Sequence, residues 1–168
     1  QSHIGDSRFG NLMGNIYVEK GDLDNAIYCY LESYSQDNQR MDTLINLANM
    51  YARKQMPDIA SQYYNKAIDI DPSSPALLFN YSHFLLDYGL FNEAEVWLKH
   101  WLNINPEYPQ AMTMLGYCYG MQNRIEQACN LLKQAQLYGD NSVENLTHLG
   151  TFELLAGNVE DAKSLASL

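Results

Sequence analysis

Five asparagines in the first half of the chain have the side chains best suited to binding chemistry: Asn11, Asn15, Asn46, Asn49 and Asn80. An amide side chain both donates and accepts hydrogen bonds, so it can pair with a peptide backbone whatever the sequence of that peptide. Each such bond contributes about 0.5–1.5 kcal/mol net. If the fold places them on one surface, such side chains suit contacts of modest affinity with a peptide backbone.

The other chemically active residue types are not spaced for catalysis or metal binding. Cys29, Cys118 and Cys129 have neither metal-site nor redox spacing, which indicates buried thiols in a reducing, cytoplasmic compartment. The four histidines include no pair at helical metal-ligand spacing. No glycine-rich phosphate loop or nucleophile motif occurs. We therefore expect no enzyme activity, no cofactor and no metal.

Composition and charge narrow the class of partner. The chain has 168 residues, of which 46% are hydrophobic, as expected of a globular domain or a short repeat array. Twenty acidic residues against ten basic ones give a net charge of −10, which disfavours nucleic acid and favours a neutral or basic protein partner. No apolar run reaches the roughly 20 residues of a membrane span. Because the sequence begins with Gln1, we expect a targeting segment to be missing, which leaves a periplasmic or cell-envelope location as the alternative.

Small residues recur along the chain at one fixed interval. Five alanines stand 34 residues apart: Ala26, Ala60, Ala94, Ala128 and Ala162. Twelve residues before each of them stands another small residue: Gly14, Ala48, Ser82, Gly116 and Gly150. Four residues after the first four alanines stand larger ones: Tyr30, Tyr64, Leu98 and Leu132. This spacing indicates an internal repeat.

Each repeat contains two stretches of about 14 residues with apolar residues at helical spacing, such as "LINLANMYA" and "IASQYYNKAIDI". Glycine or asparagine in the turn between them suits a helix end, and Asp, Asn or Pro suits the next helix start. Pro72 and Pro106 end the second helix of their repeats. The pattern predicts ten helices in five antiparallel pairs that are stabilised by stacking.

A 34-residue period with small, aromatic, alanine and proline positions resembles the tetratricopeptide repeat (TPR) pattern. The resemblance covers residues 7–168, and residues 1–6 form a flanking segment before them. It predicts one array with repeats at 7–40, 41–74, 75–108 and 109–142 and a partial repeat at 143–168. It implies an all-α fold, a right-handed α-α superhelix of helix-turn-helix repeats. Glu153 departs from the pattern because an aromatic residue is usual at its position.

In the TPR family the first helix of each repeat lines a concave groove that holds a peptide or helix of a partner. Groove positions of this chain that offer partner contacts are Asn11, Asn15, Asn46, Asn49, Arg53, Asn80, His83 and Tyr117. Tyr117 is the expected aromatic anchor, because aromatic residues dominate interface energetics. Five of the 16 asparagines fall on groove positions of the first three repeats, more than composition alone would place there. The alternative is that they are solvated polar residues of an asparagine-rich chain.

The resemblance implies a non-enzymatic interaction module or scaffold, with assembly or secretion chaperones among its relatives. One TPR subclass binds carboxylate termini through basic groove residues, but Asn11, Ala76 and Asn80 occupy those positions here, so we exclude that ligand. Two alternatives stay open: a targeting or regulatory fragment of a larger enzyme, and a self-assembling structural scaffold. An array needs polar outer faces at both ends, because an exposed apolar end face associates with a partner. We therefore also expect self-association through exposed repeat ends.

Overall fold

The computed structural model describes residues 6–165. Over that range the chain forms ten α-helices and no strand, which confirms the all-α prediction. The helices are α1 (Ser7–Glu19), α2 (Leu23–Gln36), α3 (Met41–Arg53), α4 (Pro57–Ile70), α5 (Pro75–Asp87), α6 (Phe91–Ile104), α7 (Pro109–Met121), α8 (Ile125–Leu137), α9 (Val143–Leu155) and α10 (Val159–Leu165). None of these helices has the length and hydropathy needed to cross a bilayer.

The chain divides into two compact units at a point within α5. Unit 1 lies within Gln1–Phe84 and unit 2 within Leu85–Leu168. In unit 1, α1 packs on α2, α2 on α3, and α3 on α4. In unit 2, α6 packs on α7, α7 on α8, α8 on α9, and α9 on α10. Helices adjacent in sequence are therefore also neighbours in space within each unit. We call α1, α3, α5, α7 and α9 the first helices and the others the second helices.

In two pairs the helices approach closely at the small residue of the first helix. A Cβ atom added to Gly14 would lie 2.3 Å from the ring of Tyr30, and one added to Gly116 would lie 2.7 Å from Leu132. The second-helix alanines are also buried: Ala26, Ala60, Ala94 and Ala128 at 0% exposure and Ala162 at 7%. The 34-residue period of the sequence is therefore a period of helix contacts.

Glu153 is fully buried at the position where an aromatic residue was expected. The Lys133 ammonium lies 2.7 Å from its Oε1 atom, and the Asn158 amide donates to Oε2 at 2.5 Å. Burial alone would raise the pKa of Glu153, but these two partners lower it below its usual value. The ion pair with Lys133 therefore joins α8 to α9, and the Asn158 hydrogen bond fixes the turn that follows α9.

The turns inside the helix pairs have the same backbone conformation in all five repeats. One residue in each has a positive φ angle: Gly21 (75°), Gln55 (58°), Gly89 (68°), Asn123 (62°) and Gly157 (86°). These residues are 34 positions apart. A side chain raises the energy of this conformation, which glycine adopts freely and asparagine tolerates. Gln55 is therefore the strained member of the set.

A buried polar bridge links successive first helices in each unit. In unit 1, Asn11 Nδ2 donates to Thr43 Oγ1 at 2.9 Å. The Thr43 hydroxyl lies 2.9 Å from that of Ser33, which donates to the carbonyl of Ser7 at 2.7 Å. Asn11 is only 5% exposed, and Thr43 and Ser33 are fully buried. Because a buried polar group without a partner is costly, this bridge favours one register between α1 and α3.

In unit 2 the corresponding bridge ends on a carboxylate. Asn145 Nδ2 donates to Thr113 Oγ1 at 2.8 Å, and the Thr113 hydroxyl donates to Asp140 Oδ2 at 2.6 Å. The backbone N–H of Ser142 donates to the other Asp140 oxygen at 3.0 Å. Burial alone would raise the pKa of Asp140, but these hydrogen bonds hold it below its usual value. The ionised carboxylate is therefore the form that stabilises the fold.

Replacing Gln55 by glycine should stabilise the protein. The substitution removes the steric cost of a side chain at positive φ, and we expect a gain of about 0.5–1 kcal/mol in the free energy of unfolding. Denaturant titration followed by circular dichroism measures this change. The reverse substitution at the matched turn position, Gly89→Gln, should destabilise by a similar amount. Equal stability of all three proteins would contradict this account of the turn.

The Asp140 bridge predicts a specific pH dependence. Because the pKa of Asp140 is lower in the folded chain, its contribution is fully present above the unfolded value of about 3.9 and is lost as pH falls through the folded value. Wild type should be more stable than Asp140→Asn at pH 7, and the difference should narrow below about pH 4. Thermal melts of both proteins between pH 7 and pH 2.5 measure it. A difference independent of pH would exclude the carboxylate as its source.

Candidate partner-binding site

Four of the five predicted asparagines form two hydrogen-bonded pairs between successive first helices of unit 1. Asn46 Nδ2 on α3 donates to Asn15 Oδ1 on α1 at 3.3 Å. Asn49 Nδ2, also on α3, donates to Asn80 Oδ1 on α5 at 2.9 Å. We call Asn15, Asn46, Asn49 and Asn80 the amide ladder. It joins all three first helices of unit 1.

A buried tyrosine fixes the orientation of one amide in each pair. The Tyr30 hydroxyl donates to Asn15 Oδ1 at 2.7 Å, and the Tyr64 hydroxyl donates to Asn49 Oδ1 at 2.5 Å. Tyr30 is 1% exposed and Tyr64 is fully buried. Burial raises the pKa of Tyr30 to about 12, so its hydroxyl remains a donor at neutral pH. A tyrosine–asparagine–asparagine group thus occurs twice, one repeat apart, and the hydrogen bond between the asparagines runs in opposite directions in the two groups.

The predicted asparagines differ in how far solvent reaches them. Asn15 is exposed, and Asn46, Asn49 and Asn80 are half-buried. Asn11 is buried, and its amide is turned into the interface between α1 and α3, where Thr43 accepts its hydrogen bond. The ladder therefore presents four amides at the surface of unit 1, and Asn11 supports the helices beneath it.

Apolar side chains accompany the ladder on α1 and α5. Leu12, one helical turn before Asn15, is 57% exposed, and Phe79, next to Asn80, is 42% exposed. The rings of Phe79 and His83 lie 4.6 Å apart in an edge-to-face contact, with His83 half-buried. At the end of α3 the predicted contact Arg53 is exposed. The surface of unit 1 can thus accept both backbone groups and apolar side chains.

Tyr117, the predicted anchor, lies in unit 2, where it is half-buried on α7. Its ring stacks on that of His148 of α9, with centroids 4.4 Å apart and an angle of 26° between the ring planes. The two residues are 31 positions apart, the same separation as in the pairs Asn15–Asn46 and Asn49–Asn80. The aromatic pair therefore occupies the repeat positions that carry amides in unit 1.

Sequence reasoning singled out Tyr117 but missed its partner His148, and it missed the hydroxyls of Tyr30 and Tyr64. The recurring 31-residue separation was the signal available for His148. Both tyrosines lie in the core, and periodicity does not indicate which polar atom a core hydroxyl will reach.

Models of the tetratricopeptide repeat family match three segments of the chain: residues 11–40, 55–115 and 110–140. Together they cover more than half of it. A search of curated proteins finds no match.

Solved structures resemble the fold over nearly its full length. PilW, described as a widely conserved type IV pilus biogenesis factor, is 21% identical with a TM-score of 0.85, over 95% of this chain and 74% of its own. MamA from Desulfovibrio magneticus RS-1, from its residue 41 to its end, is 15% identical with a TM-score of 0.84, over 98% and 93%. YrrB, described as a TPR protein with an unusual peptide-binding site, is 16% identical with a TM-score of 0.72, over 95% and 82%. At these identities the likeness shows the fold alone.

The ladder geometry predicts energetic coupling between Tyr30 and Asn15. Asn15→Ala should cost about 1 kcal/mol, because it leaves the buried Tyr30 hydroxyl without its acceptor. Tyr30→Phe should cost a similar amount. The double variant should be less stable than either single variant by at most a few tenths of a kcal/mol. Denaturant titrations of the four proteins give the coupling energy. Strictly additive effects would show that the hydrogen bond contributes nothing.

Proposed function

Because this chain belongs to the tetratricopeptide repeat family, we propose that it is a non-enzymatic interaction module whose unit 1 binds an extended segment of a partner protein along its first helices. TPR domains serve protein–protein interaction, and the segment and its place on this chain are the parts that we propose. The observation that carries the proposal is the amide ladder.

The ladder is suited to an extended backbone because its amides retain hydrogen-bonding capacity. An amide nitrogen carries two hydrogens, and the hydrogen bonds that Asn46, Asn49 and Asn80 donate within the chain use one hydrogen of each. The second hydrogen can be donated to a ligand carbonyl. A helical ligand has satisfied its own backbone groups, whereas an extended segment offers free N–H and C=O groups. The partner segment is therefore extended where it meets the ladder.

Pre-organisation makes these few hydrogen bonds effective. Binding normally costs about 0.5–1.5 kcal/mol for each flexible side chain that becomes ordered. The Tyr30 and Tyr64 hydroxyls already hold Asn15 and Asn49 in place, so much of that cost is met when the chain folds. Exposed Leu12 and Phe79 supply apolar contacts for ligand side chains, which add selectivity to a backbone-directed interaction.

The charge of unit 1 favours a neutral or basic segment. Residues 1–84 contain ten acidic and six basic residues, so an acidic ligand would be repelled at low salt.

We further propose a role in the assembly of a larger complex, such as that of an assembly or secretion chaperone. PilW, which shares the fold, is described as a pilus biogenesis factor. A subunit that has not yet been assembled can expose an extended segment of the kind that the ladder would bind.

Removing two ladder amides should weaken partner binding without unfolding the protein. After capture on the purified chain, the bound segment is identified by crosslinking and mass spectrometry and synthesised as a peptide. Asn46→Ala together with Asn80→Ala should raise its Kd roughly 5- to 150-fold, the effect of two hydrogen bonds of about 0.5–1.5 kcal/mol each. Isothermal titration calorimetry measures the change.

The matched control replaces two exposed amides of the second helix α4, Gln62→Ala together with Asn65→Ala. This variant should bind as wild type does. Equal affinity of the ladder variant and the control variant, with both melting near the wild-type temperature, would exclude the ladder as the binding site.

A further inference from the structure

The repeat that contains Tyr117 has an apolar residue at the position of Tyr30 and Tyr64. In unit 1 the residue that lies under the corresponding pairs is Tyr30 or Tyr64, and its hydroxyl engages an asparagine. In the repeat of Tyr117 the same position is Leu132, whose side chain is fully buried against Gly116 and has no hydrogen-bonding group. No group at this position can therefore engage the polar atoms of the pair from the core side.

The polar atoms of Tyr117 and His148 make few interactions within the described residues. Among residues 6–165 the Tyr117 hydroxyl has no hydrogen-bond partner. His148 has one polar neighbour in that range, the Glu144 carboxylate, 3.7 Å from its Nε2 atom and one helical turn away on α9. Burial lowers the pKa of His148 against the opposing effect of Glu144, so the ring is neutral at pH 7. The Glu144 side chain is 57% exposed, and the neutral His148 ring does not balance the negative charge of its carboxylate.

Charge distribution in unit 2 indicates what would neutralise Glu144. The unit contains ten Asp and Glu side chains against four Lys and Arg, all four within the described residues. Each of these four cations already has a carboxylate partner in the ion pairs Lys99–Glu95, Arg124–Glu95, Lys133–Glu153 and Lys163–Glu160. The unit therefore has no spare cation for Glu144, and a cation from a partner is complementary to it.

We propose that Tyr117, His148 and Glu144 form a subsite for one arginine side chain of the partner protein. A planar guanidinium group donates two parallel hydrogen bonds to a carboxylate and stacks favourably against aromatic rings. Here its hydrogen bonds go to Glu144, its plane lies along the Tyr117–His148 pair, and the Tyr117 hydroxyl accepts a further N–H. The subsite rests on the proposed function, since it names a side chain of the partner protein.

The subsite is tested with a small probe, N-acetyl-arginine amide, titrated into the full chain. Nuclear magnetic resonance of the His148 and Tyr117 rings should show saturable shifts, with a Kd in the millimolar range. N-acetyl-citrulline amide has the same shape without the charge and should produce no saturable shift. Glu144→Gln should weaken probe binding about tenfold, since a charge-assisted hydrogen bond is lost.

Glu126→Gln is the matched control, because Glu126 is an exposed carboxylate on the second helix α8. It should leave probe binding unchanged. The proposal is overturned if no saturable shift occurs, if citrulline binds as well as arginine, or if the two glutamine variants bind alike. The ladder variants of unit 1 separate this proposal from the proposed function. If the ladder variant binds the partner segment as its control does and the arginine probe still binds, only the proposed function is contradicted.

Discussion

The structure depends on the contact between a small residue on a first helix and a larger side chain on the second helix of the same pair. At Gly14 and Gly116 this contact leaves no room for a methyl group, so the helix axes approach closely and the pair adopts a defined geometry. Because small residues recur every 34 positions along the chain, equivalent positions on neighbouring first helices fall at equivalent places. A side chain at one position then meets the same neighbour in each repeat, as the pairs Asn15–Asn46 and Asn49–Asn80 show.

This geometry couples the core to the surface chemistry. Where the large side chain is tyrosine, as at Tyr30 and Tyr64, its hydroxyl emerges beneath a first-helix asparagine and orients the amide. Where it is Leu132, no such donor exists, and the surface pair is the aromatic Tyr117–His148 stack. One fold thus presents two chemically different surfaces, one directed at peptide backbone and one at a side chain.

Periodicity predicted the fold because each helix contact repeats in the sequence. The five alanines and their small partners located the ten helices without knowledge of any side-chain position. The candidate site was less accessible, because sequence spacing assigns a residue to a helix face but not to a hydrogen-bond partner. Asn11 shows the limit: its repeat position predicts exposure, yet Thr43 on the neighbouring helix accepts its hydrogen bond and buries it. Contacts of this kind join residues 31 or 32 positions apart and depend on rotamers that local propensity does not specify.

Site-specific photocrosslinking tests most directly the claim that first helices of unit 1 hold the partner segment. A benzophenone amino acid is placed at Leu12 or at Phe79, which are 57% and 42% exposed on the first helices α1 and α5, and at Tyr28, which is 61% exposed on the second helix α2. After irradiation with the native partner, mass spectrometry locates the crosslinked residues. The account predicts that Leu12 and Phe79 crosslink to one contiguous stretch of the partner and that Tyr28 does not. Crosslinks from Tyr28 alone, or from all three positions to scattered sites, would contradict it.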